Sequence, residues 1–90
     1  MSDELTGAAL RETRIGRAAW GKKGYRIEEV DDFLARAAEA LDARRGGRRV
    51  QLTADDVHTV VFRKPGFRQG RGYDEDEVDA LLDRIERALH

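Results

Sequence analysis

Ninety residues allow one small domain, with a core that is marginal unless copies of a unit pack together or chains associate. Charged residues make up 39% of the chain, yet the net charge is −1, which argues against a plain polyanion binder and for locally segregated charge. Cysteine is absent, which removes disulfides and thiolate metal sites and suits a reducing compartment.

The start, Met1-Ser2-Asp3-Glu4, is acidic and lacks the charged-then-apolar layout of a signal peptide. No apolar run approaches the roughly 20 residues of a membrane-spanning helix. The expectation is a soluble, cytoplasmic chain that is not secreted.

The chain then states one pattern twice. Leu5-Thr6, Trp20, Gly24-Tyr25 and Glu28-Glu29-Val30-Asp31-Asp32-Phe33-Leu34 are followed by Leu52-Thr53, Phe67, Gly72-Tyr73 and Asp76-Glu77-Val78-Asp79-Ala80-Leu81-Leu82. Leu-Thr recurs after 47 positions and Gly-Tyr after 48, so the second loop holds one extra residue. Such a repeat implies two copies of a supersecondary unit that cannot bury its apolar face alone. The expected division is residues 1–43 for a divergent first copy, 44–50 for an Arg/Gly linker and 51–90 for the second copy.

Each copy reads as a short helix, a basic glycine-containing loop and a longer amphipathic helix. In the first, Gly7, Ala8, Ala9 and Leu10 give the short helix a thin apolar face, and Arg26 stands where the second copy has an acid at the start of the long helix. Between the copies, Gly46-Gly47 stop the first long helix and Arg44, Arg45, Arg48 and Arg49 flank them. In the second copy, Thr53 with Asp56 suggests a capping box, Val57, Val60 and Val61 lie on adjacent helical faces, and Phe62 closes the turn. Pro65, Gly66 and Gly70 exclude a continuing helix. Asp74 then caps the last helix, with Glu77 completing an Asp-x-x-Glu box.

The long helices share one seam. Val30, Leu34, Ala37 and Leu41 recur as Val78, Leu82, Ile85 and Leu89, widened by Phe33 and Leu81. Helices this short are marginal alone in water. Val30, Phe33, Leu34, Leu41, Val78, Leu81, Leu82, Ile85 and Leu89 are therefore the expected helix-pairing residues. The predicted fold is all-α: two tandem short helix–loop–long helix units, the long helices pairing as a coiled-coil-like bundle. Parallel pairing asks the linker to return along the first long helix; an antiparallel hairpin asks less of it.

The run Leu52-Thr53-Ala54-Asp55-Asp56-Val57-His58, then Val61-Phe62, Phe67-Arg68 and Arg71-Gly72-Tyr73-Asp74-Glu75-Asp76-Glu77-Val78-Asp79, resembles the N-terminal domain of DivIVA, a family of bacterial cell-division and polar-growth scaffolds. The first copy matches more loosely, and the chain resembles tandem-repeat members of the family more than the archetypal scaffold. The resemblance implies a non-enzymatic scaffold or adaptor whose loops touch anionic membrane at a septum or pole. Its tip residues would be Phe67 with Arg68, and Trp20 with Lys22 and Lys23; Arg71, among the cations around Phe67, completes the expected membrane-binding set. It also implies self-association or pairing with other DivIVA-type proteins, and a peripheral location at the inner face of the cell membrane. The family's long C-terminal coiled coil has no counterpart in these 90 residues.

Plainer readings stand beside these. Trp20 and Phe67 could tuck under the short helices as core. The linker arginines could be solvated, or touch phosphate, although no recognition helix or aromatic strand platform favours nucleic acid. The alanines of the first long helix (Ala35, Ala37, Ala38, Ala40) could leave a groove for a partner helix. His58 and His90 do not make a metal pair, and no cofactor or catalytic set is expected. Tyr25 and Tyr73 read as buried rings whose hydroxyls bond back to their loops, with Gly24 and Gly72 supplying a backbone conformation costly for other residues.

Overall fold

The computed structural model describes residues 4–90; the first three residues of the acidic start, Met1 to Asp3, lie outside the described residues. Four helices follow one another: α1 (Gly7–Glu12), α2 (Ile27–Arg45), α3 (Ala54–Thr59) and α4 (Glu75–Leu89). The architecture is all-α, with α1 against α2, α3 against α4, and the long helices α2 and α4 against each other.

Side-chain caps set most of these boundaries. Thr6 accepts from the Ala9 N–H and starts α1. Thr53 and Asp56 form a full capping box, each side chain accepting from the other's backbone N–H, at 3.1 and 2.9 Å. At the far end of α2, Gly46 and Gly47 break the helix, Gly47 at a φ of 69°. Arg26 gives α2 no side-chain cap, whereas Asp74 caps α4 through the Glu77 N–H. The expected Asp74–Glu77 box is only half made, because the Glu77 carboxylate reaches Gly16 instead.

One hydrophobic cluster takes residues from both copies, among them Leu10, Val30, Phe33, Ala37, Leu41, Leu52, Val57, Phe62, Val78, Leu81, Ile85 and Leu89. Val30, Val78 and Ile85 are wholly buried, while Leu34 and Leu82 are half-buried at its edge. The alanine face of α2 is not an open groove. Ala37, Ala38 and Ala40 are buried; α1 lies so close to that face that a Cβ on Gly7 would strike the Ala38 carbonyl and the Asp42 carboxylate. Arg11 of α1 closes the contact with an ion pair to Asp42 at 2.9 Å.

The long helices run parallel. Their starts meet where Tyr25 and Tyr73 form a bridge, and their ends meet where Arg44 donates to the Leu89 carbonyl at 3.0 Å. The linker does not make the long return expected of it for parallel pairing. α3 packs beside the later part of α4, with His58 3.0 Å from Glu86, so the linker only steps across between neighbouring helix ends. The return is made inside each copy by its own loop. Helix α3 stops at Thr59, earlier than the valine pattern implied. Val61 is exposed, and Phe62 crosses over to pack on Tyr25 and Phe33 of the first copy, with ring centroids 5.5 and 5.7 Å apart.

Candidate functional site

The loops that precede α2 and α4 cross, and each is tied down by the other copy. Tyr25 and Tyr73 exchange both backbone bonds, as a hydrogen-bonded antiparallel pair does. Around that pair the contacts repeat with the offset of the sequence. Arg26 N–H donates to Arg63 O, and Asp74 N–H donates to Gly16 O, at 2.9 and 2.8 Å. Glu29 accepts from the Arg63 N–H, and Glu77 from the Gly16 N–H, at 3.1 and 3.0 Å. The Tyr25 hydroxyl donates to Asp79 and the Tyr73 hydroxyl to Asp31, at 2.9 and 2.7 Å. A pseudo-twofold axis therefore passes between the two tyrosines.

These hydroxyls bond to the opposite long helix, not back to their own loops as expected. Burial, first, and the carboxylate bond, second, push both phenols up from 10.0 to about 12. The Glu29 carboxyl is held below its usual 4.5, chiefly by the Arg63 backbone N–H and then by its guanidinium, 2.7 Å away. Gly24 fits the conformational reading, at a φ of 74°. Gly72 does not; it is glycine because a Cβ there would strike the Tyr25 carbonyl and Pro65.

The symmetry fails where chemistry forbids it. Ala18 N–H donates to Gly72 O at 2.8 Å. Pro65, 47 positions on, has no N–H with which to repeat that bond.

Beyond the crossing, each loop ends in a tight turn with its aromatic residue at the second position. Lys22 N–H returns to Ala19 O at 3.0 Å, which puts Trp20 and Gly21 at the apex; Gly21 has a φ of 86°, a third-position angle that favours glycine. Gln69 N–H returns to Gly66 O at 3.0 Å, which puts Phe67 and Arg68 at the apex. Trp20 is 88% exposed and Phe67 104%, so neither ring is part of the core. Lys22, Lys23 and Arg68 are exposed beside them, while Arg71 is half-buried. Lys64 is drawn away into a 2.8 Å pair with Glu75. A cleft of about 510 Å³ lies against the crossing, bordered by Lys22, Lys23, Lys64 and the acidic start of α4.

Thus the expected tip residues Trp20, Lys22, Phe67 and Arg68 stand on two turns that leave one crossing, and Lys23 follows the first turn, where its carbonyl accepts from the Gly72 N–H at 2.7 Å. The expected pairing residues sit in or at the edge of the shared core. Sequence reading missed the residues that tie the crossing: Glu29, Asp31, Glu77 and Asp79. Their signal was present, since Tyr-x5-Asp occurs in both copies and Glu29 and Glu77 lie 48 apart. No helix among the described residues is long and apolar enough to cross a membrane.

The arrangement defines a class: a tandem helical module whose two copies lock through their loops and present two aromatic turns. A stretch of 38 residues, 42% of the chain, is 58% identical to the cell wall synthesis protein Wag31 of Mycobacterium tuberculosis, and the same holds for Wag31 of Mycobacterium leprae and of Mycolicibacterium smegmatis. The matched stretch covers 14% of each of those proteins, so the chain spans a small part of their length. The similarity supports a DivIVA-related origin for that part of the chain. No protein-family model and no solved structure matches the chain.

Proposed function

We propose that this protein is a non-enzymatic DivIVA-like scaffold or adaptor module of bacterial cell division or polar growth, working through helix pairing and through peripheral membrane contact by its two loops. The observation that carries the membrane part is the placement of Trp20 and Phe67 at matching turn positions, both almost fully exposed, with cations beside them. Exposed aromatic rings flanked by cations suit the interface of an anionic bilayer, where each cation adds about 1 kcal/mol. One ring and a few cations bind weakly, so two turns on one rigid crossing gain by acting together. Similarity to a protein named for cell wall synthesis supports the cellular setting, a septum or pole.

The membrane-binding set is Trp20, Lys22, Lys23, Phe67 and Arg68, with Arg71 behind them. The helix-pairing set is Val30, Phe33, Leu34, Leu41, Val78, Leu81, Leu82, Ile85 and Leu89. In this reading the repeat is a pseudo-dimer within one chain, residues 1–43 and 51–90 each contributing one half. A second copy or another cell-division protein would then meet a face other than this filled seam. Nucleic acid is not among the proposed partners.

The test is co-sedimentation with phosphatidylglycerol vesicles, wild type beside a Trp20→Ala, Phe67→Ala double variant. Binding that the variant loses supports the proposal. A wild type that stays in the supernatant at low salt sinks the membrane part and leaves a soluble protein-interaction adaptor.

A further inference from the structure

The two aromatic turns differ in one respect that their shared positions conceal. Arg71, which belongs to the second loop, does not point to the second tip. Its Nη1 donates to the Ala18 carbonyl of the first loop at 2.8 Å, and its guanidinium carbon stands 4.4 Å from the centre of the Trp20 ring. Arg17 of the first loop in turn reaches the Arg71 carbonyl at 3.4 Å. At the corresponding place on the other side is Lys23, which is exposed, and among the described residues no cation stacks on Phe67.

We infer that Arg71 is a positioning residue for Trp20: by bonding the Ala18 carbonyl and stacking on the indole, it holds the first turn in its outward pose. Ala18 is buried and its N–H is bonded to Gly72, so the guanidinium rests on a fixed support. Arginine suits this place because a planar guanidinium can stack on an aromatic face and donate in its own plane, which a lysine ammonium cannot do in the same way. The consequence is a division of labour. Trp20 is ordered before it meets a surface, whereas Phe67 is free to adapt. The inference rests on the membrane reading for its purpose, while the pose itself is tested without lipid.

Trp20 is the chain's sole tryptophan, so its fluorescence reports this site alone. Arg71→Lys and Arg71→Gln are compared with wild type by fluorescence anisotropy in buffer, with helix content checked by circular dichroism. Both variants should show faster local motion of the indole; unchanged anisotropy in both overturns the inference. With vesicles of equal parts phosphatidylglycerol and phosphatidylcholine, Arg71→Lys should lose partition as Arg71→Gln does, and more than Lys23→Gln does. If charge alone matters, Arg71→Lys binds as wild type while Arg71→Gln falls about fivefold, the worth of one surface cation, and the inference fails. Should either variant not fold, the wild type still decides. The Arg71 side-chain protons must show an upfield ring-current shift in NMR that Trp20→Ala abolishes, and its absence overturns the inference. A wild type that ignores vesicles but shows this shift refutes the membrane part of the proposed function and leaves the positioning role standing.

Discussion

Tyr25 and Tyr73 bond to each other through both backbone groups, at 3.0 and 2.9 Å, and each sends its hydroxyl to the other copy's long helix. The two tyrosines are thus the pin of the crossing. Tyr25→Phe or Tyr73→Phe keeps the ring and the backbone pair but removes one bond to a carboxylate. Each should cost about 1 kcal/mol in denaturant unfolding. The phenols also set an alkaline limit. Their folded pKa is raised, so their stabilisation is fully present below the unfolded value of 10.0 and lost as pH rises through about 12. Melting temperature should fall over that window, and less steeply in the double Phe variant; parallel curves would contradict this role.

The glycines of the loops separate conformational from steric demand. Gly70 has a φ of 70° with open space around it, so Gly70→Ala should cost about 1–2 kcal/mol from backbone strain alone. At Gly72 the φ is ordinary, but a Cβ meets the Tyr25 carbonyl, and Gly72→Ala should cost about 2–3 kcal/mol. Gly24 suffers both, with a φ of 74° and the Tyr73 carbonyl in the way, and should be the most damaging of the three. Equal losses at Gly24 and Gly70 in urea melts would show that the crossing is not as tight as described.

Glu29 makes a prediction at the acid end. Its carboxyl is held below 4.5 by the Arg63 N–H and guanidinium, so its stabilisation is present above the unfolded value and lost as pH falls through the lower folded one. Asp56, held below 3.8 by the Thr53 N–H and hydroxyl, behaves in the same sense. Glu29→Gln should flatten the acid limb of the stability curve below pH 4.5 while leaving the alkaline limb unchanged. An acid limb of wild-type slope would place the titration elsewhere.

The shared core gives a prediction on packing. Ile85 is wholly buried between the two halves, and Ile85→Ala should cost about 2–5 kcal/mol. Leu82 is half-buried at the edge, and Leu82→Ala should cost clearly less in the same urea titration. A reversed order would mean that the seam faces the other way.

What was legible in the sequence follows from which groups do the bonding. Thr53 with Asp56, Asp74 at the start of α4 and the Gly46-Gly47 stop all act through side-chain type or glycine freedom, and all could be read in advance. The seam was legible too, because its spacing repeats in both copies. The crossing was not, because it is built largely from backbone N–H and C=O groups, such as Asp74 to Gly16, which any residue but proline supplies on the donor side. Arg26 looked like a failed cap for the same reason. Its place is explained by the opposite loop, where its N–H meets Arg63 and its side chain the Lys64 carbonyl at 3.4 Å.

The most direct test of the membrane-facing account is the emission of Trp20 on mixing the intact protein with phosphatidylglycerol vesicles at low salt. The account predicts a blue shift as the indole leaves water. The shift should be weakened by added salt and absent with phosphatidylcholine alone. An emission maximum unmoved by phosphatidylglycerol vesicles at low salt would contradict it.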